Sequence, residues 1–192
     1  MLLTVALAVV LTTPPSPVDP VKWTIDPVHS NITFKVRHLV SKVPGMFTQW
    51  TGEILVDPAK LNDGSVSVSI QTTSINTRNE RRDADLRSSN FFAADSFPTI
   101  TFKSTKVEAK GSVLKITGDL TIRGVTKSVA LDGEFGGTFG PPEPTKQKIG
   151  FSASTTINRL DYGVKWNRLI EGSNLLGDNV EITINIEATR AA

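Results

Sequence analysis

Apolar and polar residues alternate along most of this chain. In NITFKVRHL, from Asn31 to Leu39, Ile32, Phe34, Val36 and His38 share one face, while Thr33, Lys35 and Arg37 share the other. A period of two marks a half-buried β-strand. Val43-Pro44-Gly45 reads as a turn, and a second strand runs from about Phe47 to Val56 with Trp50, Ile54 and Val56 on one side. Asp57-Pro58 and Asn62-Asp63-Gly64 break it. Ser65 to Ile75 alternates through Val66, Val68 and Ile70. Further strands are predicted at Thr99–Ser104, Val113–Ile122, Ser128–Phe135, Lys148–Leu160 and Val180–Ala188, with a short one near Trp23. That makes about eight to ten strands. Asn79 to Ser89, NERRDADLRSS, is charged and poor in β-branched residues, so a short helix is expected there. A second helical turn is expected near Trp166–Glu171.

The fold class predicted is therefore all-β, an eight-stranded antiparallel barrel with one short helix between strands. A sandwich leaves strand edges exposed and a barrel removes them. Eight strands enclose a space that side chains can fill or that holds one small ligand. The candidate inner positions mix Phe, Val and Ile with Ser, Thr and Gly, and small residues leave room for a cavity. The alternation does not say which face of each strand points inward, because a shift of one residue inverts it.

Composition narrows the function. The chain of 192 residues suits one domain with a sizeable core, here residues 21–192. With 21 Lys plus Arg against 19 Asp plus Glu, scattered, a nucleic-acid partner is not expected. There are no cysteines, which excludes disulfides, thiolate zinc sites and a cysteine nucleophile. MLLTVALAVVL at the start is uncharged and apolar, and TTPPSPVDP follows. This run is too short to span a bilayer, which takes about 20 residues. Residues 1–20 are expected to be an export signal with a Pro-rich segment, although a positive n-region is missing. No later segment is apolar enough to be a transmembrane helix, so the mature protein is expected to be soluble, and the export signal sets the expectation of a periplasmic or secreted location.

Catalytic chemistry is sparse. The two histidines are His29 and His38, and no third ligand stands at a telling spacing, so no metal is expected. Asp26, His29 and Ser30 are too close along an extended chain to form a triad, since neighbours on a strand point apart. No nucleophile elbow, P-loop or dinucleotide glycine pattern is present, and no cofactor is expected. Arg123-Gly124-Val125-Thr126 reads as a turn between strands, with Gly124 supplying the unusual dihedrals.

Five motifs in order resemble the YceI-like family: WTIDPVHSNITFKVRHL from Trp23, SINTRNERRDADLRSSNFFAADSFPTITFKST from Ser74, GDLTIRGVTKSV from Gly118, DYGVKWN from Asp161 and LLGDNVEITINIEA from Leu175. The resemblance implies an extended lipocalin-like barrel that binds a long amphiphilic lipid, a polyisoprenoid or isoprenoid quinone, without catalysis, for carriage or sequestration in the cell envelope. On this reading the ligand meets Phe34, Val36, Phe47, Trp50, Ile54, Ile70, Leu86, Phe91, Phe92, Phe102, Leu131, Phe151 and Trp166, with His38, Arg82 and Asp83 at its polar end. The family often carries His where this chain has Asp85. Two alternatives remain open at this point: a stress-response structural or interaction module with no ligand, and a lipid- or quinone-modifying enzyme using His29 and His38. A homodimer through an exposed face is a common solution for such domains.

Overall fold

The computed structural model describes residues 20–170 and 173–191. The expectations for residues 1–19 fall outside them. The strands are β1 (Lys22–Ile25), β2 (Asn31–His38), β3 (Ser41–Phe47), β4 (Trp50–Leu55), β5 (Ser65–Gln71), β6 (Ile75–Asn76), β7 (Thr99–Lys110), β8 (Val113–Ile122), β9 (Val125–Phe139), β10 (Lys148–Asn158), β11 (Leu169–Ile170), β12 (Ser173–Asn174) and β13 (Leu176–Arg190). One α-helix, α1 (Glu80–Arg87), lies between β6 and β7.

The sheet order β1-β4-β5-β7-β8-β9-β10-β13 closes on itself because β13 also pairs with β1. This is the expected eight-stranded antiparallel barrel. Its first two strands are bent, so each appears as two pieces. β1 pairs with β13 at Trp23↔Arg190 and β2 pairs with it at Phe34↔Ile182. Between them, Ser30 Oγ accepts from Glu187 N at 2.9 Å and donates to Glu187 O at 3.2 Å. β3 continues into β4 in the same way, facing β2 and then β1.

The Val43-Pro44-Gly45 turn is a correction: these residues lie inside β3. Proline survives there because β3 pairs on its second side only at Met46 and Phe47, so the N–H that Pro44 lacks faces no ladder. Gly45 survives because the Phe34 ring, directly opposite, occupies the space of a β-carbon. The turn at Arg123-Gly124 is as expected, with φ of 51° and 73°. The helical turn expected near Trp166–Glu171 is not found. Leu169–Ile170 is extended, Glu171 lies outside the described residues, and the 3-10 turn falls earlier, at Arg159–Tyr162.

Register identifies the inner face. Ile54 opposes Val66, Val68 opposes Phe102, Phe102 opposes Leu120 and Ile116 opposes Leu131. At one end Trp23, Ile149 and Ala188 are at most 1% exposed and pack with Ile54 and Val56. Trp23 Nε1 donates to Val56 O at 2.9 Å, so the indole is buried with its one polar atom satisfied. Burial of a large apolar side chain contributes about 1.5–3 kcal/mol, and this cluster seals that end of the barrel.

Candidate ligand-binding site

A cavity of about 840 Å³ runs inside the barrel. Its wall is the inward apolar set: Phe34 and Val36 of β2, Val66 to Ile70 of β5, Phe102 of β7, Leu114 to Ile122 of β8, and Val180 to Ile186 of β13. From Leu114 to Ile122 is eight residues, about 27 Å along the strand and about 20 Å along the axis at ordinary barrel tilt. The cavity is thus long and narrow.

The end away from Trp23 is built by α1, the loop after it and the chain after β10. α1 has few apolar residues and is held by polar bonds. Asn79 caps it, its side chain accepting from Arg82 N at 3.0 Å. Buried Asp83 accepts from Thr77 N at 2.9 Å and from the Thr77 hydroxyl at 2.5 Å. Arg87 donates to the carbonyls of Thr73 and Ile75. The helix then presents Arg81, Arg82, Asp85 and Leu86 to the cavity. Asn79, Arg81, Arg82 and Asn90 line it while remaining exposed, so the cavity opens to the surface here. Aromatic rings follow one another to this mouth. Phe34 meets Phe47 at 5.8 Å between centroids, Phe47 meets Phe92 at 6.3 Å, and Phe91 packs on Trp166 at 5.2 Å.

Most residues predicted to meet a ligand fall on this wall: Phe34, Val36, His38, Phe47, Ile54, Ile70, Arg82, Leu86, Phe91, Phe92, Phe102, Leu131, Phe151 and Trp166. Two do not. Trp50 shares the inner face, opposite Ile70, but packs into the core beside the cavity. Asp83 turns its carboxylate to Thr77 and ties down the start of α1. Arg82 is not its ion-pair partner; it donates from Nε to Thr77 Oγ1 at 2.7 Å and from Nη2 to Thr77 O at 2.9 Å.

Among the polar wall residues that sequence reasoning missed are Asn79, Arg81, Asp85 and Asn90 at the mouth and, deeper, Arg159 and Tyr162. Arg159 and Tyr162 share one 3-10 turn, where side chains three apart eclipse. The guanidinium, 6% exposed, donates to the carbonyls of Gly177, Val164 and Trp166 at 2.7–2.9 Å. Burial pulls Arg159 below the ordinary arginine range, and Asp178 opposes the shift. Tyr162 is 2% exposed and lines the cavity. Burial, then Asp161, pushes its pKa above 10.0, so it stays a proton donor. The signal was present: Asn158 caps this turn and Gly163, at φ 73°, ends it.

The histidines do not share a site. His38 lies on the cavity wall at one end of β2, whereas His29 lies before the other end, and the strand between them spans about 23 Å. His29 Nδ1 is 2.8 Å from Asp26 Oδ2, which corrects the expectation that these two point apart: residues 26–30 form a bend, not a strand. His29 and the Val28 amide hold the Asp26 carboxyl below its ordinary 3.8. Glu187 completes this exposed cluster, and Lys148 Nζ stands 3.8 Å from Asp26 and 4.0 Å from Glu187, supplying the countercharge.

A closed antiparallel barrel of eight strands with an axial apolar cavity and a polar mouth defines the lipocalin-like class of barrels. The chain belongs to the YceI-like family, whose domain matches residues 23–188. The UPF0312 protein SA2479 of Staphylococcus aureus is 37% identical over 167 residues, 86% of this chain and 95% of the relative. The Campylobacter jejuni YCEI crystal structure superposes with a TM-score of 0.72 at 35% identity, covering 81% of this chain and 90% of that one. A polyisoprenoid-binding domain from Saccharophagus degradans, implicated in plant cell wall breakdown, matches with a TM-score of 0.66 at 14% identity over 89% and 99% of the two chains. At that identity the likeness is one of fold. No helix among the described residues is long and apolar enough to cross a membrane.

Proposed function

We propose that this protein binds a long-chain amphiphilic lipid, a polyisoprenoid or isoprenoid quinone, inside the barrel and carries or sequesters it in the cell envelope. The observation that carries this reading is the long apolar cavity with polar side chains at one end. Each CH₂ moved from water to such a wall contributes about 0.8 kcal/mol, so a long tail binds well with few polar contacts. The tail lies along Phe34, Ile70, Phe102, Leu120 and Phe151. The head group lies at the α1 end, where His38, Arg82, Arg159 and Tyr162 line the cavity and carry donors. The polyisoprenoid binding of the Saccharophagus degradans domain supports the ligand class. The role is one of binding rather than catalysis, a reading that the family and the separation of His29 from His38 both support. The apolar start of the chain supports export.

Native mass spectrometry of protein purified from its own organism tests this directly. The expected result is copurified lipid near one per chain. Consistently empty protein, with no mass shift on adding a long-chain isoprenoid alcohol, overturns it.

A further inference from the structure

The β2–β3 turn carries two apolar residues where a hairpin ordinarily takes Gly, Asn or Asp. Leu39 sits there at φ 50°, a left-handed conformation that costs a leucine about 1–2 times the free energy of a surface hydrogen bond. Val40, next to it, is fully exposed. Neither choice helps the turn fold, so another pressure keeps apolar side chains at this tip.

The tip belongs to the rim of the cavity mouth. Leu39 N donates to Leu175 O at 2.9 Å, and Leu175 N donates to Arg168 O at 2.8 Å. Leu169, 68% exposed, follows Arg168. Asn167 fixes this segment by bonding both ways to the Leu176 backbone, at 2.9 and 3.0 Å. Leu39, Val40 and Leu169 are thus three exposed apolar side chains on two linked loops, adjoining the cavity-lining residues His38, Leu175 and Trp166. The other exposed large apolar residues on strands, Val113 and Phe139, stand at the opposite ends of β8 and β9.

Cations stand on the segments that form this mouth. Arg37, whose Nη1 donates to Leu39 O at 3.4 Å, makes no ion pair among the described residues, and neither do Arg81, Lys165 and Arg168. Glu80 at the start of α1 and Asp161 in the 3-10 turn are exposed acids at the same end of the barrel. An apolar tip beside cations that make no ion pair among the described residues complements one surface above others, the interface of a bilayer bearing anionic head groups.

We propose that the rim formed by Leu39, Val40 and Leu169 docks on an anionic lipid membrane, with the cavity mouth facing the bilayer. This deepens the lipid-carrier reading and rests on it for its purpose: an insoluble ligand passes between bilayer and cavity without crossing water.

The absence of cysteine permits a clean test on the full chain. Single variants Val40→Cys, Leu169→Cys and Val113→Cys each carry an environment-sensitive thiol dye. They are mixed with vesicles of phosphatidylcholine alone or with added phosphatidylglycerol. The first two dyes shift to the blue with the anionic vesicles, the shift fades in high salt, and the Val113→Cys dye does not shift. In parallel, Val40→Asp/Leu169→Asp lowers the dye shift of a Leu39→Cys probe and its vesicle affinity by about tenfold or more, two apolar contacts having been lost. Circular dichroism confirms the fold of each variant. Equal shifts at all three positions, or none at Val40 and Leu169, overturn the proposal; equal shifts on neutral and anionic vesicles overturn its anionic surface. Protein that docks by this rim yet stays empty in native mass spectrometry refutes the carrier reading and leaves the surface standing.

Discussion

Replacing Gly45 with alanine perturbs the cavity wall at a point where geometry sets the outcome. A β-carbon on Gly45 overlaps the tip of the Phe34 ring and stands 2.8 Å from both Cε atoms. Carbon pairs settle at about 3.5–4.0 Å, so the ring must retreat by about 1 Å or more. Phe34 lines the cavity, so its tip has space on one side, and the retreat is inward. Overpacking costs about 1–3 kcal/mol, with the low end expected because the displaced atoms move into open space. The tilted contact of Phe34 with Phe47, at 5.8 Å, weakens as well. A net loss of about 1–2 kcal/mol corresponds to a fall in Tm of about 2–8 °C for a chain of this size. A ligand in the cavity competes with the displaced ring, so bound isoprenoid raises the Tm of Gly45→Ala less than that of the native protein. The assay is thermal unfolding of Gly45→Ala, Phe34→Leu and the double variant, each with and without isoprenoid. Leucine lacks the ring tip, so the double variant is more stable than the sum of the single losses predicts. A Gly45→Ala protein with native Tm and native ligand response, or a strictly additive double variant, refutes the reasoning.

Ala153→Phe places a ring on the β10 wall between Gly133 and Ile184 and is expected to leave the protein folded but largely without copurified lipid, read by native mass spectrometry. Arg159→Met strands the Gly177, Val164 and Trp166 carbonyls and is expected to destabilise by about 3–5 kcal/mol, read by urea unfolding. The depressed Asp26 pKa contributes stability that is present above its ordinary value of 3.8 and is lost as pH falls through the lower folded value. Asp26→Asn therefore lowers stability at neutral pH and converges on the native protein as pH falls below about 3.8, which flattens the acid limb, read by acid titration of the unfolding midpoint.

Local pattern carried much of this molecule. Val180, Ile182, Ile184 and Ile186 alternate with Glu181, Thr183 and Asn185, and a strand in water beside a core admits only one reading of that text. The charged segment NERRDADLR, poor in β-branched residues, announced α1 in the same local way. β3 was hidden because Pro44 and Gly45 are turn formers in isolation; what permits them is an unpaired second side and the Phe34 ring across the ladder. The Asp26–His29 pair was hidden because the bend at residues 26–30 is imposed by bonds to Glu187 on β13. Arg159 and Tyr162 carried a cap signal, yet nothing in their neighbourhood says that they turn toward a cavity.

Strand content and the alternation of faces were therefore determined by the sequence alone, because both depend on neighbours one or two residues away. Which alternate face became the inside, which end of the barrel was sealed by Trp23 and which was left open beneath α1 were decided only by tertiary structure. Those choices rest on pairings such as Thr33 with Thr183 and Trp23 with Arg190, whose partners the chain brings together only when the barrel closes.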